Sequence, residues 1–276
     1  MRNQDEKVIK GFGEEWSAFD QTPASLSSDL DSQFNEYFSE FPWADLPGGS
    51  VGFDAGCGSG RWAKLVAPRV GVLHCCDPSR EALEIAKRNL SLLQNCQFHV
   101  ASVDEMPFES GSMDFGYSLG VLHHIPDTAA GLGACVRLLK PGAPFLVYLY
   151  YAFDNRPWWF KGIHRISEIG RLFISRLPFS SRYWASQAIA VLVYFPLARM
   201  SSMFEKLGFN ITSIPLSSYR NRSFYSMRTD ALDRFGTRLE KRFSKKQIED
   251  MMVNAGLRDI RFREDVPFWC AVGVKK

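Results

Sequence analysis

Three glycines at alternate positions could hold a small molecule against the backbone. They lie in the stretch VGFDAGCGSGRWA, residues 51–63, where a short apolar run ends in Asp54 and is followed by Gly56, Gly58 and Gly60. Glycine has no Cβ, so it permits positive φ angles and lets a ligand lie close to the main chain. The stretch therefore predicts a cofactor-binding loop that follows a buried strand.

The loop fits two kinds of cofactor. Gly58, Gly60 and Ala63 match the G-x-G-x-x-A pattern of dinucleotide sites, and Asp77 follows after about 20 residues, where such sites carry an acid that binds a ribose. Alternatively, the glycines let an amino-acid moiety lie flat against the backbone, while Asp54 meets its ammonium group directly or through water. The rest of the chain has to distinguish these two interpretations.

Apolar runs alternate with amphipathic stretches through the first part of the chain. Ser79 is expected to be the N-cap of the second helix. The predicted elements are, in chain order, strand 51–54, helix 60–67, strand 70–77, helix 79–93, strand 96–102, strand 113–120, helix 128–139 and a strand within 140–152. This alternation predicts an α/β fold with a parallel, doubly wound sheet.

The end of the chain departs from this alternation. Residues 244–257 predict a helix with Ser244 as its N-cap and Gly256 at its end. Strands are predicted at 258–265 and 268–276, and the turn between them is so short that they must pair antiparallel. The result is a Rossmann-like sheet, mostly parallel, with an antiparallel C-terminal hairpin.

Three regions are predicted along the chain. Residues 1–48 form an N-terminal helical cover segment, residues 49–153 with 243–276 form the core, and residues 154–242 form a mostly helical cap insertion. The cap holds 15 lysines and arginines against 6 aspartates and glutamates, whereas the whole chain carries a net charge of only +3. The positive charge is therefore concentrated in the cap.

Further stretches resemble one enzyme family. DPSREALEIAKRN, VDEMPFESGSMDFGYSLGVLHHIPD and LKPGAPFLV follow the glycine loop in that order. With the closing hairpin, they resemble the class I S-adenosylmethionine-dependent methyltransferases, in the small-molecule branch often called methyltransferase type 11. The resemblance covers residues 50–152 and 243–276 and favours the second interpretation of the loop. It implies S-adenosyl-L-methionine as the cofactor and methyl transfer as the activity.

The resemblance also implies which residues bind the cofactor. The three glycines form the methionine-side loop, Asp77 takes the ribose hydroxyls through its two carboxylate oxygens, and residues 102–104 border the adenine. Ser102 stands where the family often carries an acid, and Leu119 and Gly120 supply backbone to the cofactor's amino acid. The full implied set is Asp54, Gly56, Cys57, Gly58, Gly60, Asp77, Pro78, Ser102, Val103, Asp104, Leu119 and Gly120.

Two adjacent histidines, in VLHHIPD, follow the fourth strand near the expected position of the transferred methyl group. Histidine titrates near neutral pH and can act as a general base, so His124 and His123 are candidate catalytic residues. A base is needed only where the nucleophile has a proton to lose. Family members with different substrates carry a histidine here, which leaves a purely positional role open.

The residues that follow the fourth predicted strand also indicate which class of substrate to expect. Enzymes that methylate amide or base nitrogens typically carry an Asn/Asp-Pro-Pro-aromatic turn where this chain has SLGV, residues 118–121. Because no RNA-binding module appears either, we expect a small-molecule substrate and no nucleic acid, with O-methylation slightly favoured. No Cys/His spacing predicts a metal site. The six cysteines and the polar N-terminus predict a cytoplasmic protein with reduced thiols and no signal peptide.

The cap is expected to select the substrate. Tyr219, Arg220, Tyr225 and Arg238 of the cap, together with Tyr151, are the candidate substrate-binding residues. Arginine forks suit carboxylates or phosphates, and convergent polar and aromatic groups suit a polar or acidic ligand. The alternative for most of these residues is a solvated basic face with aromatic anchors in the core.

An apolar stretch in the cap supports a competing class, a membrane-surface methyltransferase of a lipid or quinone-like substrate. WASQAIAVLVYFPLA, residues 184–198, is shorter than the ~20 residues of a spanning helix and contains Ser186, Gln187 and Pro196, so we predict no membrane span. Peripheral contact stays open, with cap arginines facing anionic headgroups. A non-catalytic cofactor-binding subunit is a third interpretation, which the intact glycine loop and Asp77 disfavour.

Overall fold

The computed structural model describes residues 3–19 and 25–276, and the chain divides into two compact units. Unit 1 comprises Met1–Thr22, Leu30–Ala152 and Leu239–Lys276, and unit 2 comprises Pro23–Asp29 and Phe153–Arg238. Residues 1, 2 and 20–24 of the predicted N-terminal cover segment lie outside the described residues.

Unit 1 is built on a single sheet. Its strands are β1 (Val51–Ala55), β2 (Val72–Asp77), β3 (Cys96–Val100), β4 (Phe115–Leu119), β5 (Pro144–Tyr148), β6 (Leu257–Phe262) and β7 (Cys270–Lys275). They lie in the order β3-β2-β1-β4-β5-β7-β6, with β1 to β5 parallel and β7 antiparallel to both β5 and β6. The predicted α/β fold, with its doubly wound sheet and antiparallel C-terminal hairpin, is confirmed.

The helices of unit 1 cover both faces of this sheet, and those of unit 2 form a separate helical group. They are α1 (Glu6–Ala18), α2 (Ser25–Tyr37), α3 (Ala63–Val66), α4 (Arg80–Asn89), α5 (Thr128–Leu138), α6 (Trp158–Ile174), α7 (Phe179–Ile189), α8 (Phe195–Lys206), α9 (Phe224–Gly236) and α10 (Lys245–Asn254). Of these, α6 to α9 belong to unit 2. Because α5 and α10 cover one face and α3 and α4 the other, a ligand is expected at the ends of the strands.

The helix ends follow local chemistry. Ser79 accepts a hydrogen bond from the backbone N–H of Ala82 (3.2 Å), and Ser244 forms a reciprocal capping box at the start of α10, so both predicted N-caps are confirmed. The helix predicted to begin at residue 60 begins instead at Ala63. The reason is that Gly60 has a φ of +79°, and the turn of the glycine loop extends beyond it.

Unit 2 corrects one expectation from the sequence. A π-helical turn, Ala190–Tyr194, joins α7 to α8, so Phe179–Lys206 is one continuous helix of 28 residues. Pro196 does not end it, because the proline lies in the first turn of α8, directly after the π-helical turn. By length and composition alone this helix could cross a membrane.

Candidate active site

The candidate site lies where β1 and β4 are neighbours at the centre of the sheet. The chain winds outward from β1 through β2 to β3 and then returns to β4, and open α/β sheets bind ligands at the carboxyl ends of strands at such a reversal. The loops after the two strands are in contact. A Cβ at Gly56 would lie 2.5 Å from the methyl groups of Val121, so only glycine fits there.

The glycine loop is fixed to the end of β2. The N–H groups of Gly56 and Cys57 both donate to the carbonyl of Cys76, at 2.8 and 3.0 Å. The N–H of Gly58 donates to Oδ2 of Asp77 at 2.9 Å. Gly58 has a φ of +54°, and a Cβ there would approach the indole of Trp16 to 3.0 Å. The loop is therefore a preformed turn in which added side chains would clash.

Each carboxylate oxygen of Asp77 accepts one backbone hydrogen bond and can accept a second. Its Oδ1 accepts the N–H of Ser79 at 2.9 Å, and its Oδ2 accepts that of Gly58. A carboxylate offers about four acceptor positions, so two hydroxyl groups of a ribose could still bind. Burial raises the pKa of Asp77 to about 6, although these two N–H groups act in the opposite direction. Ligand hydroxyls would favour the ionised form further.

Asp54, at the end of β1, is a buried acid next to the hydroxyl of Tyr117. Burial raises its pKa to about 8, against the opposing effect of that hydroxyl. Its Oδ2 has no hydrogen-bond partner among the described residues. A cation placed against this carboxyl would stabilise the ionised form, so Asp54 fits the ammonium group of an amino-acid moiety.

The segment predicted to border an adenine is tied to the N-terminus of the chain. Ser102 Oγ donates to Asp104 Oδ1 at 2.8 Å, and the N–H of Asn3 donates to Asp104 Oδ2 at 3.0 Å. Val103, between Ser102 and Asp104 in the sequence, is buried. The acid in this segment is therefore Asp104, held by the residues that lead into α1.

Backbone near the end of β4 is accessible to a ligand. The N–H of Gly120 donates to the carbonyl of Tyr148 at 3.1 Å, and Leu119 before it is buried. A Cβ at Gly120 would meet no atom of the described residues within 4 Å. The main chain here therefore has open space beside it, as the implied contact with the cofactor requires.

Helix α1 covers both the glycine loop and the histidines. Trp16 lies against Gly58, and the ring of Phe12 meets the ring of His124 edge-on with centroids 5.0 Å apart. Phe12 and Trp16 are four residues apart, about 6 Å along a helix. His124 and the cofactor loop therefore lie beneath one face of the same helix. Neither aromatic residue was predicted for the site, because no local sequence signal indicates which distant loop a helix covers.

The two histidines are held in different ways. The His123 ring stacks on Tyr150 with centroids 3.8 Å apart, and burial, followed by His124 and Arg242, holds its pKa well below the usual range. His124 Nδ1 lies 2.7 Å from the carbonyl of Leu239. A carbonyl can only accept, so Nδ1 carries the hydrogen and Nε2 of the neutral ring can accept a proton.

The predicted substrate residues are divided between the units. Tyr151 belongs to unit 1, where its ring contacts Phe268 with centroids 5.4 Å apart. The other four lie in unit 2: Tyr219, Arg220, Tyr225 and Arg238. A substrate-binding role for these five residues stays a prediction.

Within unit 2 the predicted arginines have protein partners. Arg220 Nε donates to Glu205 at 2.7 Å, and Arg238 Nε donates to the carbonyl of Ser175 at 3.2 Å. Tyr219, next to Arg220, packs its ring edge-on against another tyrosine of unit 2. These contacts join the helices of unit 2 to one another, and they occupy part of the arginines' donor capacity.

Sequence comparisons identify the domain in unit 1. Residues 53–147 match the family model described as a methyltransferase domain. A ubiquinone biosynthesis O-methyltransferase of Xanthomonas oryzae is 34% identical over 135 residues, which are 48% of this chain and 53% of that protein. One from Xanthomonas axonopodis is 25% identical over 190 residues, 67% of this chain and 74% of that protein. The chain thus spans about half the length of the first of these relatives.

Solved structures agree on the fold. The methyltransferase solved in complex with the Trm112 methyltransferase activator of Haloferax volcanii is 16% identical, with a TM-score of 0.52 and coverage of 98% of both chains. A SAM-dependent methyltransferase from Aquifex aeolicus is 14% identical, with a TM-score of 0.50 and coverage of 98% and 97%. Unit 1 therefore contains a methyltransferase domain at residues 53–147, and its fold is that of S-adenosylmethionine-dependent methyltransferases.

Proposed function

We propose that this protein methylates a hydroxyl oxygen of a lipophilic, quinone-like small molecule. The observation that carries the proposal is the buried histidine pair after β4, which lies under the same helix as the glycine loop. A hydroxyl group must lose a proton when its oxygen is methylated, so its methylation benefits from a general base placed beside it. A free amine attacks through a lone pair and needs no such base.

The residues of unit 1 fit the cofactor group by group. Asp77 would bind the ribose hydroxyls, Asp54 the ammonium group, and residues 102–104 would border the adenine. The bare backbone of the glycine loop and of Gly120 would accommodate the amino-acid part. When bound, S-adenosylmethionine supplies an electrophilic methyl group on a sulfonium. The chain's own contribution is alignment of the acceptor and removal of its proton.

His124 is the base in this proposal. The Leu239 carbonyl holds its ring so that Nε2 is the proton acceptor, and it is at Nε2 that the hydroxyl proton is taken up. His123 stays uncharged in its buried stack with Tyr150. It therefore serves as a positioning residue that fixes the neighbouring ring.

The substrate class rests on two observations. The relatives from Xanthomonas are named ubiquinone biosynthesis O-methyltransferases, which supports a quinone-like acceptor. The rings of Phe12 and Tyr150 pack against the histidines, and this aromatic environment suits an apolar, flat acceptor. The acidic substrate favoured from the sequence gains less support, because Arg220 and Arg238 already contact Glu205 and Ser175.

Methyl transfer to a matched set of acceptors tests this function. Tritium-labelled S-adenosylmethionine would be offered with a prenylated catechol, with the same compound bearing amino groups in place of the hydroxyls, and with a catechol bearing a carboxylate in place of the prenyl tail. We expect label in the prenylated catechol and none in the amine. Label only in the amine would contradict O-methylation, and faster transfer to the carboxylate would contradict the lipophilic substrate.

A further inference from the structure

Unit 2 exposes an unusual amount of apolar surface. Nearly all of the large apolar side chains that are exposed in the described residues belong to it, and the exceptions are Leu92, Val100, Val253 and Val266. Soluble monomeric proteins rarely expose large contiguous apolar patches, and those that do use them for contacts with proteins or membranes. The helices of unit 2 show how this surface arises.

Helix α6 turns its apolar face outward. Ile166, Ile169 and Phe173 are 72%, 58% and 71% exposed, and they follow one another at spacings of three and four residues, so they share one helix face. Trp158, at the start of the helix, is 84% exposed. An ordinary surface helix presents its polar face to water instead.

Two charged residues of α6, Glu168 and Arg171, point into unit 2. Arg171 is 4% exposed and donates to the carbonyl of Thr237 at 2.7 Å. Glu168 forms ion pairs with both Arg171 and Arg234, the latter on α9. Burial raises the pKa of Glu168, but the two arginines outweigh it and hold the pKa at about 2. Helix α6 thus packs on unit 2 through this charged pair and leaves its isoleucines exposed.

The continuous helix Phe179–Lys206 also exposes large apolar side chains. Its outward residues include Trp184 and Leu192, which are 70% and 73% exposed. On its packed side, Arg182 donates to the carbonyl of Gly236 at 3.3 Å, and Gln187 accepts a hydrogen bond from an arginine of α9. Helix α6 therefore contacts α9 through ion pairs. The continuous helix contacts α9 through these polar groups and also through buried apolar residues such as Ala190 and Ala198, while its exposed apolar residues lie outside that contact.

Basic side chains accompany the apolar face of α6. Lys161 and Arg165 lie one turn apart, and Arg165 is one turn before Ile169 on the same side of the helix. Arg176 follows directly after the helix. None of these three forms an ion pair with a described residue. An apolar face flanked by unpaired basic residues and tryptophans is the pattern of helices that lie in the interface of an anionic bilayer.

We propose that the outward faces of α6 and of Phe179–Lys206 form a membrane-docking surface that lies in the interface of an anionic lipid bilayer. The surface does not span the bilayer, because the opposite side of both helices is packed on α9 through charged and amide groups that hydrocarbon would not solvate. Docking is independent of the proposed reaction, since no residue of the candidate active site takes part in it.

Vesicle binding of the purified full chain tests the docking surface. The protein would be sedimented with phosphatidylcholine vesicles that contain or lack phosphatidylglycerol, with tryptophan emission as a second readout. We expect binding to the anionic vesicles, a blue shift from Trp158 and Trp184, and weaker binding at high salt. The double variant Ile166→Glu/Phe173→Glu should bind at least about tenfold more weakly, because two apolar side chains no longer leave water.

A matched control separates docking from a general effect of added charge. The variant Leu92→Glu/Val253→Glu changes two exposed apolar residues of unit 1 and should bind like the unmodified protein. Circular dichroism and cofactor binding would show that both variants fold. Absence of vesicle binding by the unmodified protein would overturn the proposal, and so would equal losses in the two variants. A stable dimer by sedimentation velocity that loses its interface in the α6 variant would assign this surface to a second copy instead.

Discussion

Replacing His124 by glutamine is expected to lower kcat for methyl transfer by about 10²–10⁴-fold, while the affinity for the cofactor changes little. Glutamine is a polar side chain of similar length, but its amide cannot take up a proton near neutral pH. Initial rates at saturating cofactor, together with a calorimetric affinity for S-adenosylhomocysteine, would measure the two quantities separately.

The pH profile distinguishes a base from a residue that only supports the fold. Without His124 the reaction depends on acceptor that has already ionised, so the rate of the variant should depend more steeply on pH than that of the unmodified protein. His99→Gln is the matched control, because this ring lies on the edge strand β3 beside His74. An unchanged kcat for His124→Gln across the pH range would exclude His124 as the base.

Replacing Asp77 by alanine is expected to weaken binding of S-adenosylhomocysteine by about 1.5–3 kcal/mol, roughly 10- to 150-fold. The substitution removes both the acceptor for the ribose hydroxyls and the anchor of the Gly58 N–H. Isothermal titration would measure the loss, and thermal unfolding would show whether the protein without ligand stays folded. Glu84→Ala, an exposed acid on the neighbouring helix α4, should bind normally. Unchanged affinity in Asp77→Ala would leave Asp77 as an anchor of the loop alone.

The pKa of Asp77 adds a dependence on pH to the same titration. With a pKa of about 6 in the free protein, Asp77 becomes protonated as the pH falls below that value, whereas the ribose hydroxyls bind the carboxylate. Affinity should therefore decrease on acidification by up to about tenfold per pH unit below pH ~6. In Asp77→Asn, which keeps one acceptor oxygen and does not titrate, this component should disappear.

Much of the loop and helix-cap geometry of unit 1 could be predicted, because its signals are local. The positions of Gly56, Gly58 and Asp77 follow from turn chemistry and strand length, and Ser79 and Ser244 mark helix starts by their own side chains. The hairpin was predictable because a short connection allows only antiparallel pairing. Such features depend on residues within a few positions of one another.

The remaining features depend on tertiary packing. Phe12 and Trp16 cover His124 and Gly58 from far away in the chain, and nothing in the sequence of α1 specifies those targets. The sequence predicts too short a helix around residues 184–198, because a proline such as Pro196 usually ends a helix. Here the π-helical turn before it places Pro196 in the first turn of α8, where proline is tolerated. The exposure of an apolar helix face, as in α6, also cannot be predicted from the sequence. Periodicity shows that a helix has two different faces, but it does not show which of them is packed.

A calorimetric comparison of S-adenosylhomocysteine with NAD tests most directly whether the glycine loop serves a sulfonium cofactor rather than a dinucleotide. With Asp54 and Asp77 placed as they are, we expect saturable binding of S-adenosylhomocysteine, and of S-adenosylmethionine at the same site, and no heat of binding for NAD or NADP. Tight binding of NAD without binding of S-adenosylhomocysteine would contradict the assignment.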